Sequence, residues 1–534
     1  MTSASGSLIR GRRLSSLRLI VLLAILAGFV MGGFYGGQRV LAMSGFGRTA
    51  EHQPWFAPYV DVTATPTFDF QNMGQTTHQD AVLAFIVSDP SNVCTPSWGG
   101  VYTLAQAGST LNLDSRIARL QQQGGSVAVS FGGLKNSELA IGCTNPEKLL
   151  SAYQSVVVRY NLNTIDLDLE GPALSDTAAG NRRATAIAKL QSERRAAGKK
   201  LAVWVTLPVT PQGLTQAGTN AVAQLLKHGV DLAGVNVMTM DYGSSLLSDQ
   251  TMLTGSESAL IQTERQLKIL YQLAGTHLNS PTVWSKIGVT PMIGQNDVQN
   301  EVFTLKDALA LNKFALSHGV GRMSMWSMNR DITCGSNYVY DSIVSNSCSG
   351  VKEPKYGFSN ILGKGFNGSI FLSAGLITKA DPVSASQLTP DNPATSPYQI
   401  WSPTGTYLAG EKVVWHHNVY QAKWWTQGDV PDNPVLQSWQ TPWNLIGPVL
   451  PGEKPIPQPT VPKGTYPVWS GNATYQAGDR IIFQGTPYQA KWWNQGDSPA
   501  AASSDPNGSP WVPLTQSQIN AIVSQLQQKQ GGIP

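Results

Sequence analysis

The chain has 534 residues, enough for about three or four folded units. Only 13% of residues are charged and 41% are hydrophobic, which excludes disorder driven by charge. The formal net charge is +4 and no long basic run follows residue 18, so the concentrated basic face of a nucleic-acid binder is excluded as well. The polar surface has to be Ser, Thr, Asn, Gln and Gly; with 15 Trp and 16 Tyr it suits neutral polar partners such as carbohydrate.

Residues 1–43 read as a signal peptide or an N-terminal membrane anchor. Arg10, Arg12, Arg13 and Arg18 precede an uncharged apolar stretch, residues 19–37, long enough to span a bilayer core. The positive flank stays cytoplasmic. Everything downstream is therefore expected to be secreted, or anchored outside the cytoplasm. The four cysteines, Cys94, Cys143, Cys334 and Cys348, fit export: they are even in number and lack the CxxC spacing of zinc sites. Of seven His only His416 and His417 are adjacent, so no metal is expected.

Over residues 46–372, eight short apolar runs alternate with amphipathic stretches. The runs are 56–63, 81–88, 126–132, 164–170, 201–207, 233–240, 286–292 and 322–327. Strands alternating with helices imply βαβ units, and eight units imply an α/β fold of (β/α)8 TIM-barrel type. A doubly wound open sheet would need a Gly-rich phosphate turn after an early strand; here TATPTFDF follows the first one. Residues 373–397 are polar and carry four prolines, as a linker does, and residues 448–465 form a second, Pro-rich linker. Around that second linker lies an ungapped repeat. YQAKWWTQGD recurs as YQAKWWNQGD, and Trp401, Tyr407, Tyr420, Trp424 and Trp443 each recur 68 positions later. Two small all-β modules are expected, at 398–447 and 466–514, followed by a short tail at 515–534.

The sharpest segment is Asn163–Gly171. In a strand, alternate residues share a face, so Asp166, Asp168 and Glu170 point one way while Ile165, Leu167 and Leu169 point the other. On a barrel strand the apolar set packs on helices and the carboxylates project inward, near the C-terminal end. Three stacked carboxylates cannot all ionise cheaply, so at least one should stay protonated, as general acid catalysis requires.

This strand resembles the D-x-x-D-x-D-x-E signature of glycoside hydrolase family 18, the chitinases, with Asn163 replacing the first Asp. Ser130-Phe-Gly132-Gly133 is similar to the family's S-x-G-G, Trp326 to the tryptophan that floors the sugar site, and VTPMIG at 289–294 also looks familial. The resemblance implies retaining hydrolysis assisted by the substrate's own N-acetyl group. Glu170 is then the acid and base, Asp168 holds the acetamido N–H, and Asp166 shares a proton with Asp168. No cofactor is implied.

Many family members carry M-x-Y-D on the sixth strand; here the segment is Met238-Thr239-Met240-Asp241-Tyr242. Period-2 alternation puts Met238, Met240 and Tyr242 on one face, so Tyr242 is expected to supply the hydroxyl that Met240 lacks. Asp241 then lines the neighbouring subsite or caps the loop. Lys286 and Arg322 open the seventh and eighth runs 36 residues apart. That leaves no room for the insertion that walls the cleft in processive members, so an open cleft and endo action are expected. Cys94 and Cys143 follow strands two and three, and Cys334 and Cys348 follow strand eight. Of the three connectivities that four cysteines allow, Cys94–Cys143 with Cys334–Cys348 is expected.

The A-K-W-W-T/N-Q-G-D segments resemble chitin-binding modules of family 5/12. The adjacent tryptophans lie in strand-like segments, so Trp424 and Trp425, like Trp492 and Trp493, are expected to put one ring on each face. Trp401, Tyr420, Trp469 and Tyr488 are further binding candidates. The expected partners are chitin and chito-oligosaccharides, and the expected state is a monomer. Two alternatives stand beside a chitinase: a non-catalytic chitin-binding lectin, which usually lacks the acid present here as Glu170, and an endo-β-N-acetylglucosaminidase, against which the modules argue.

Overall fold

The computed structural model describes residues 55–73, 80–338, 340, 342–369, 391–392, 395–403, 405–454, 461–483, 485–499, 509–514 and 516–530. The apolar segment 19–37, most of 373–397 and the middle of 448–465 lie outside the described residues. Among the described residues no helix is long and apolar enough to cross a membrane.

Eight strands form the barrel: β1 (Tyr59–Asp61), β2 (Ala81–Ser88), β3 (Val127–Gly132), β4 (Thr164–Asp168), β5 (Ala202–Thr210), β6 (Leu232–Thr239), β7 (Ile287–Pro291) and β8 (Arg322–Met323). Each pairs in parallel with the next, for example Val129 with Ile165 and Thr164 with Ala202. The ring closes where Phe56 bridges Met323 and the Tyr59 N–H donates to the Met325 carbonyl at 3.0 Å.

The helices between strands start where the sequence supplies caps. Helix α1 (Pro146–Arg159) opens on Asn145, whose side chain accepts from Lys148 N, and α2 (Thr177–Ala196) opens on Asp176. Helices α3 (Gln216–Lys227) and α4 (Met252–Leu273) open on Thr215 and Thr251. Helix α5 (Leu305–His318) opens on a Thr304–Asp307 capping box and ends on left-handed Gly319. Helix α1 buries Leu149, Ala152, Tyr153, Val156 and Val157, the one-face pattern of a helix lying on a sheet.

Between β7 and β8 only a two-by-two hairpin, 294–295 against 302–303, precedes α5, so this part of the rim carries no added subdomain. Disulfides join Cys94 to Cys143 and Cys334 to Cys348.

Two small all-β units follow, with the same plan. In the first, β9 (Thr406–Tyr407) pairs with β12 (Thr426–Gln427), while β10 (Lys412–Trp415), β11 (Asn418–Ala422) and β13 (Trp443–Pro448) make a three-stranded antiparallel sheet. In the second, β14 (Thr474–Tyr475) pairs with β17 (Asn494–Gln495), and β15 (Arg480–Phe483), β16 (Thr486–Ala490) and β18 (Trp511–Pro513) repeat the sheet. Tyr407 meets Trp443 edge to face at 5.3 Å, and Tyr475 meets Trp511 likewise at 4.9 Å.

These cores overturn part of the expectation for the binding aromatics. Trp401, Tyr420 and Tyr488 are buried and Trp469 packs against the core, so such small units spend these rings on their own interiors. The adjacent tryptophans lie on a bend rather than in a strand, which removes strict alternation. Trp424 is 44% exposed beside a partly buried Trp425, whereas Trp492 and Trp493 are both exposed, at 44% and 57%.

Candidate active site

Strand β4 alternates as its sequence requires. Ile165, Leu167 and Leu169 enter the outer core under the helices, and Asp166 and Asp168 turn into the barrel, fully buried. Asp166 is held from four sides. Its Oδ2 accepts from Tyr59 Oη at 2.8 Å and Ser130 Oγ at 2.7 Å. Its Oδ1 accepts from Thr206 Oγ1 at 2.7 Å and from Arg322 Nη1 at 2.6 Å, an ion pair with both partners buried. Each carboxyl oxygen of Asp166 thus meets two partners.

Asp168, one step along the same face, is different. Its Oδ1 is buried and has no hydrogen-bond partner among the described residues. Burial, then the charges of Glu170 and Asp166, holds its carboxyl well above the usual range, against the pull of Arg322. Glu170 lies beyond the strand's last paired residue but keeps an extended backbone before the short helix Gly171–Ser175, so it continues the same face. It is half-buried. Burial first, and the charge of Asp241 second, push its carboxyl up to about 7, while the Leu134 N–H works in the other direction. A carboxyl poised near neutrality beside an unpartnered buried carboxyl oxygen is equipped to give and take a proton.

The residues of S-x-G-G have separate physical reasons. Ser130 donates to Asp166. Gly132 sits at φ +110°, and a Cβ there would lie 2.0 Å from the Asp168 carbonyl oxygen. Gly133, at φ +84°, leaves room for the Phe85 ring and donates its N–H to that same carbonyl at 3.0 Å. The pair of glycines thus lets β3 press against the end of β4. Trp326, half-buried, stacks on Phe85 at 5.6 Å and lies 6.0 Å from the Tyr59 ring, forming an aromatic wall beside the carboxylates.

The sixth strand departs from the expectation. Met238 faces inward on the side of Asn236, and Met240 is half-buried just beyond the strand end. Asp241 then adopts φ +50°, which breaks the alternation, and Tyr242 turns outward. Its ring lies in the outer core and its hydroxyl meets Ser256 Oγ of α4 at 3.2 Å. Tyr242 is therefore not brought to the carboxylates; Asp241 is, through its charge on Glu170. The turn is clamped by the loop after β7. Glu301 accepts the N–H groups of Tyr242 and Gly243 at 2.9 and 2.7 Å, and Asp241 accepts that of Val298 at 3.1 Å.

Tyr59, Arg322, Thr206, Asn236 and Glu301 escaped the sequence reading. Arg322 did leave a signal: a lone cation opening an apolar run needs a buried anion. The others are polar residues whose inward position only the barrel defines.

Residues 468–512, the second small unit, match the model for carbohydrate-binding module family 5/12. The chain is 36% identical over 309 residues to a probable bifunctional chitinase/lysozyme of Escherichia coli, covering 57% of this chain and 34% of that protein. It is 35% identical over 280 residues to endochitinase 11 of Metarhizium anisopliae, covering 52% of each. It thus spans between a third and about half of these relatives' lengths. The catalytic domain of the hyperthermophilic chitinase of Pyrococcus furiosus superposes with a TM-score of 0.51 at 28% identity, covering 59% of this chain and 97% of that one. The barrel is thus similar to the catalytic domain of a chitinase. The carboxylate ladder of β4, the glycine pair of β3 and Trp326 converge at one end of it.

Proposed function

We propose that the chain is a chitinase, cleaving the β-1,4 bond between N-acetylglucosamine units with retention. The observation that carries this reading is the contrast within β4: Asp166 saturated with donors, Asp168 protonatable with a buried oxygen unpartnered, and Glu170 poised near neutrality. Glu170 protonates the glycosidic oxygen as the C–O bond breaks. The carbonyl oxygen of the substrate's 2-acetamido group attacks the anomeric carbon, giving a cyclic oxazolinium rather than an enzyme ester. Asp168 accepts the acetamido N–H through the oxygen left unpartnered and stabilises the developing positive charge. Asp166, gripped by Arg322, Tyr59, Ser130 and Thr206, supplies a fixed negative charge below it. Glu170, now a carboxylate, takes a proton from the incoming water, which opens the ring with net retention.

Trp326 provides a flat apolar face for the sugar, and Ser130, Gly132 and Gly133 hold the strand ends in register. Met238 and Met240 line the inner wall of the site on the β6 side. The short hairpin after β7 supports an open cleft and endo action. Trp424 of the first unit, and Trp492 and Trp493 of the second, offer exposed rings for the apolar faces of chitin. The boundaries 46–372, 398–447 and 466–514 are proposed for the barrel and the two modules. Export by way of residues 1–43, cleaved or retained, and a monomeric state complete the proposal.

The deciding experiment compares wild type with Glu170→Gln on colloidal chitin, assayed by reducing ends. Wild type should release them, and the variant should bind but lose activity by about a thousandfold or more. Binding without turnover by wild type would leave only the lectin.

A further inference from the structure

The two small units are near copies, yet only the first is known to meet the barrel among the described residues, and it does so through a segment the second does not repeat. Helix α4 turns Arg265 and Gln266 toward Pro434–Gln437. Arg265 donates through Nη1 to the Val435 carbonyl and through Nη2 to the Leu436 carbonyl at 3.3 Å. Gln266, fully buried, donates to the same Leu436 carbonyl at 2.8 Å while its amide also holds both backbone groups of Leu214, at 2.7 and 2.9 Å. Gln437 is buried and donates to Thr219 Oγ1 of α3 at 3.2 Å. The Leu436 side chain rests against the barrel's outer core. Two helices of the barrel, α3 and α4, thus hold one four-residue segment by backbone, side-chain amide and apolar contact together.

The repeat offset of 68 tests whether this is incidental. Flanking stretches are retained: Tyr420–Trp425 recurs unchanged as Tyr488–Trp493, and Pro442-Trp443 as Pro510-Trp511. Between them the seat is replaced. Pro434-Val435-Leu436-Gln437 stands against Ala502-Ser503-Ser504-Asp505. Serines cannot supply the apolar contact of Leu436, and Asp505 has no donor for a threonine hydroxyl's lone pair. The seat lies within 430–441, a stretch of which only Pro431 recurs, as Pro499, so it is the barrel contacts of Pro434–Gln437 that single this segment out.

We propose that Pro434–Gln437 is a dedicated dock that makes the first module a fixed part of the barrel, while the second module, which lacks it and meets the first through Tyr488 Oη and Thr406 Oγ1 at 3.1 Å, serves as the outer chitin anchor. The fixed module keeps Trp424 at a constant position relative to the cleft, so it adds a guiding surface for a polymer rather than only local concentration. This role rests on the chitinase reading; the dock itself does not.

The test uses the full chain carrying Val435→Ser, Leu436→Ser and Gln437→Asp, the residues of the second copy, with Arg265→Ala on the barrel side as an independent variant that leaves the module's sequence untouched. Calorimetry of wild type should show barrel and first module unfolding together, and either variant should split the transition. With short soluble chito-oligosaccharides both variants should work at the wild-type rate, whereas on insoluble chitin the rate should fall about threefold or more, the second module retaining some capture. An unchanged single transition in both variants overturns the dock. Split transitions with an unchanged insoluble-to-soluble rate ratio overturn the guiding role. Inactivity of wild type on both substrates would sink the chitinase reading and leave the calorimetric result standing.

Discussion

At the scale of single residues, the decisive neighbours are Asp241 and Tyr242. A positive φ at Asp241 exchanges the two side chains that plain alternation would assign, sending the carboxylate toward Glu170 and the phenol toward Ser256. Tyr242→Phe should therefore keep kcat and KM on chito-oligosaccharides close to wild type. A loss of tenfold or more, about 1.4 kcal/mol in the barrier, would restore the tyrosine to the site. Asp241→Asn should act on the pH profile instead. Glu170 must be protonated to start the reaction, so activity falls as pH rises through about 7. The negative charge of Asp241 favours that proton. Its removal should let the proton leave at lower pH and move the alkaline limb of kcat/KM down. A limb that stays in place would separate Asp241 from the acid.

Among elements, β4 depends on its neighbours for what it can do. Arg322 comes from β8 and Tyr59 from β1, the two strands whose meeting closes the barrel, so closure and the grip on Asp166 are one event. Arg322→Met would leave Asp166 buried without its cation, and a loss of about 3–5 kcal/mol is expected by denaturant titration. A loss below 1 kcal/mol would mean that the hydroxyls alone suffice. The loop after β8 carries another acid with a raised proton affinity, the half-buried Glu353. Burial, reinforced by the neighbouring Asp331, pushes the Glu353 carboxyl up to about 8. A carboxyl whose folded-state affinity for the proton is raised adds stability below its unfolded value, and that stability is lost as pH rises through about 8. The melting temperature of wild type should fall as pH rises from about 4.5 to about 8 and level off above, and Glu353→Gln, which stays uncharged, should flatten that fall. Parallel curves for the two proteins would exclude Glu353 as the source.

On the scale of the whole molecule, a barrel is joined to two copies of one small β unit, and the copies present different surfaces. In the first, Trp425 is partly buried and its dock is engaged; in the second, Trp492 and Trp493 both face solvent. Truncation after residue 465 should weaken retention on insoluble chitin about tenfold or more, because a second attachment multiplies effective concentration. Hydrolysis of soluble oligosaccharides should not change. Pull-down on chitin beads beside a soluble assay checks both, and equal retention would assign capture to the first unit alone.

Much of this was legible in the chain. Strand–helix alternation specified the barrel, and the period of two in Asp166, Asp168 and Glu170 specified one inward face, because a strand inside a closed barrel has no other place for three carboxylates. The S-x-G-G and Trp326 were legible only through their resemblance to the motifs of a known family. What the sequence could not determine was everything that depends on distance across the barrel or on a single dihedral angle. Arg322 lies 156 positions from Asp166, so their ion pair exists only once the ring has closed. The turn at Asp241 reversed a prediction because one positive φ undoes alternation. Which module aromatics are exposed was not legible either: a unit with so little interior must bury some of them, here Trp401, Tyr420 and Tyr488, and only the packed core decides which.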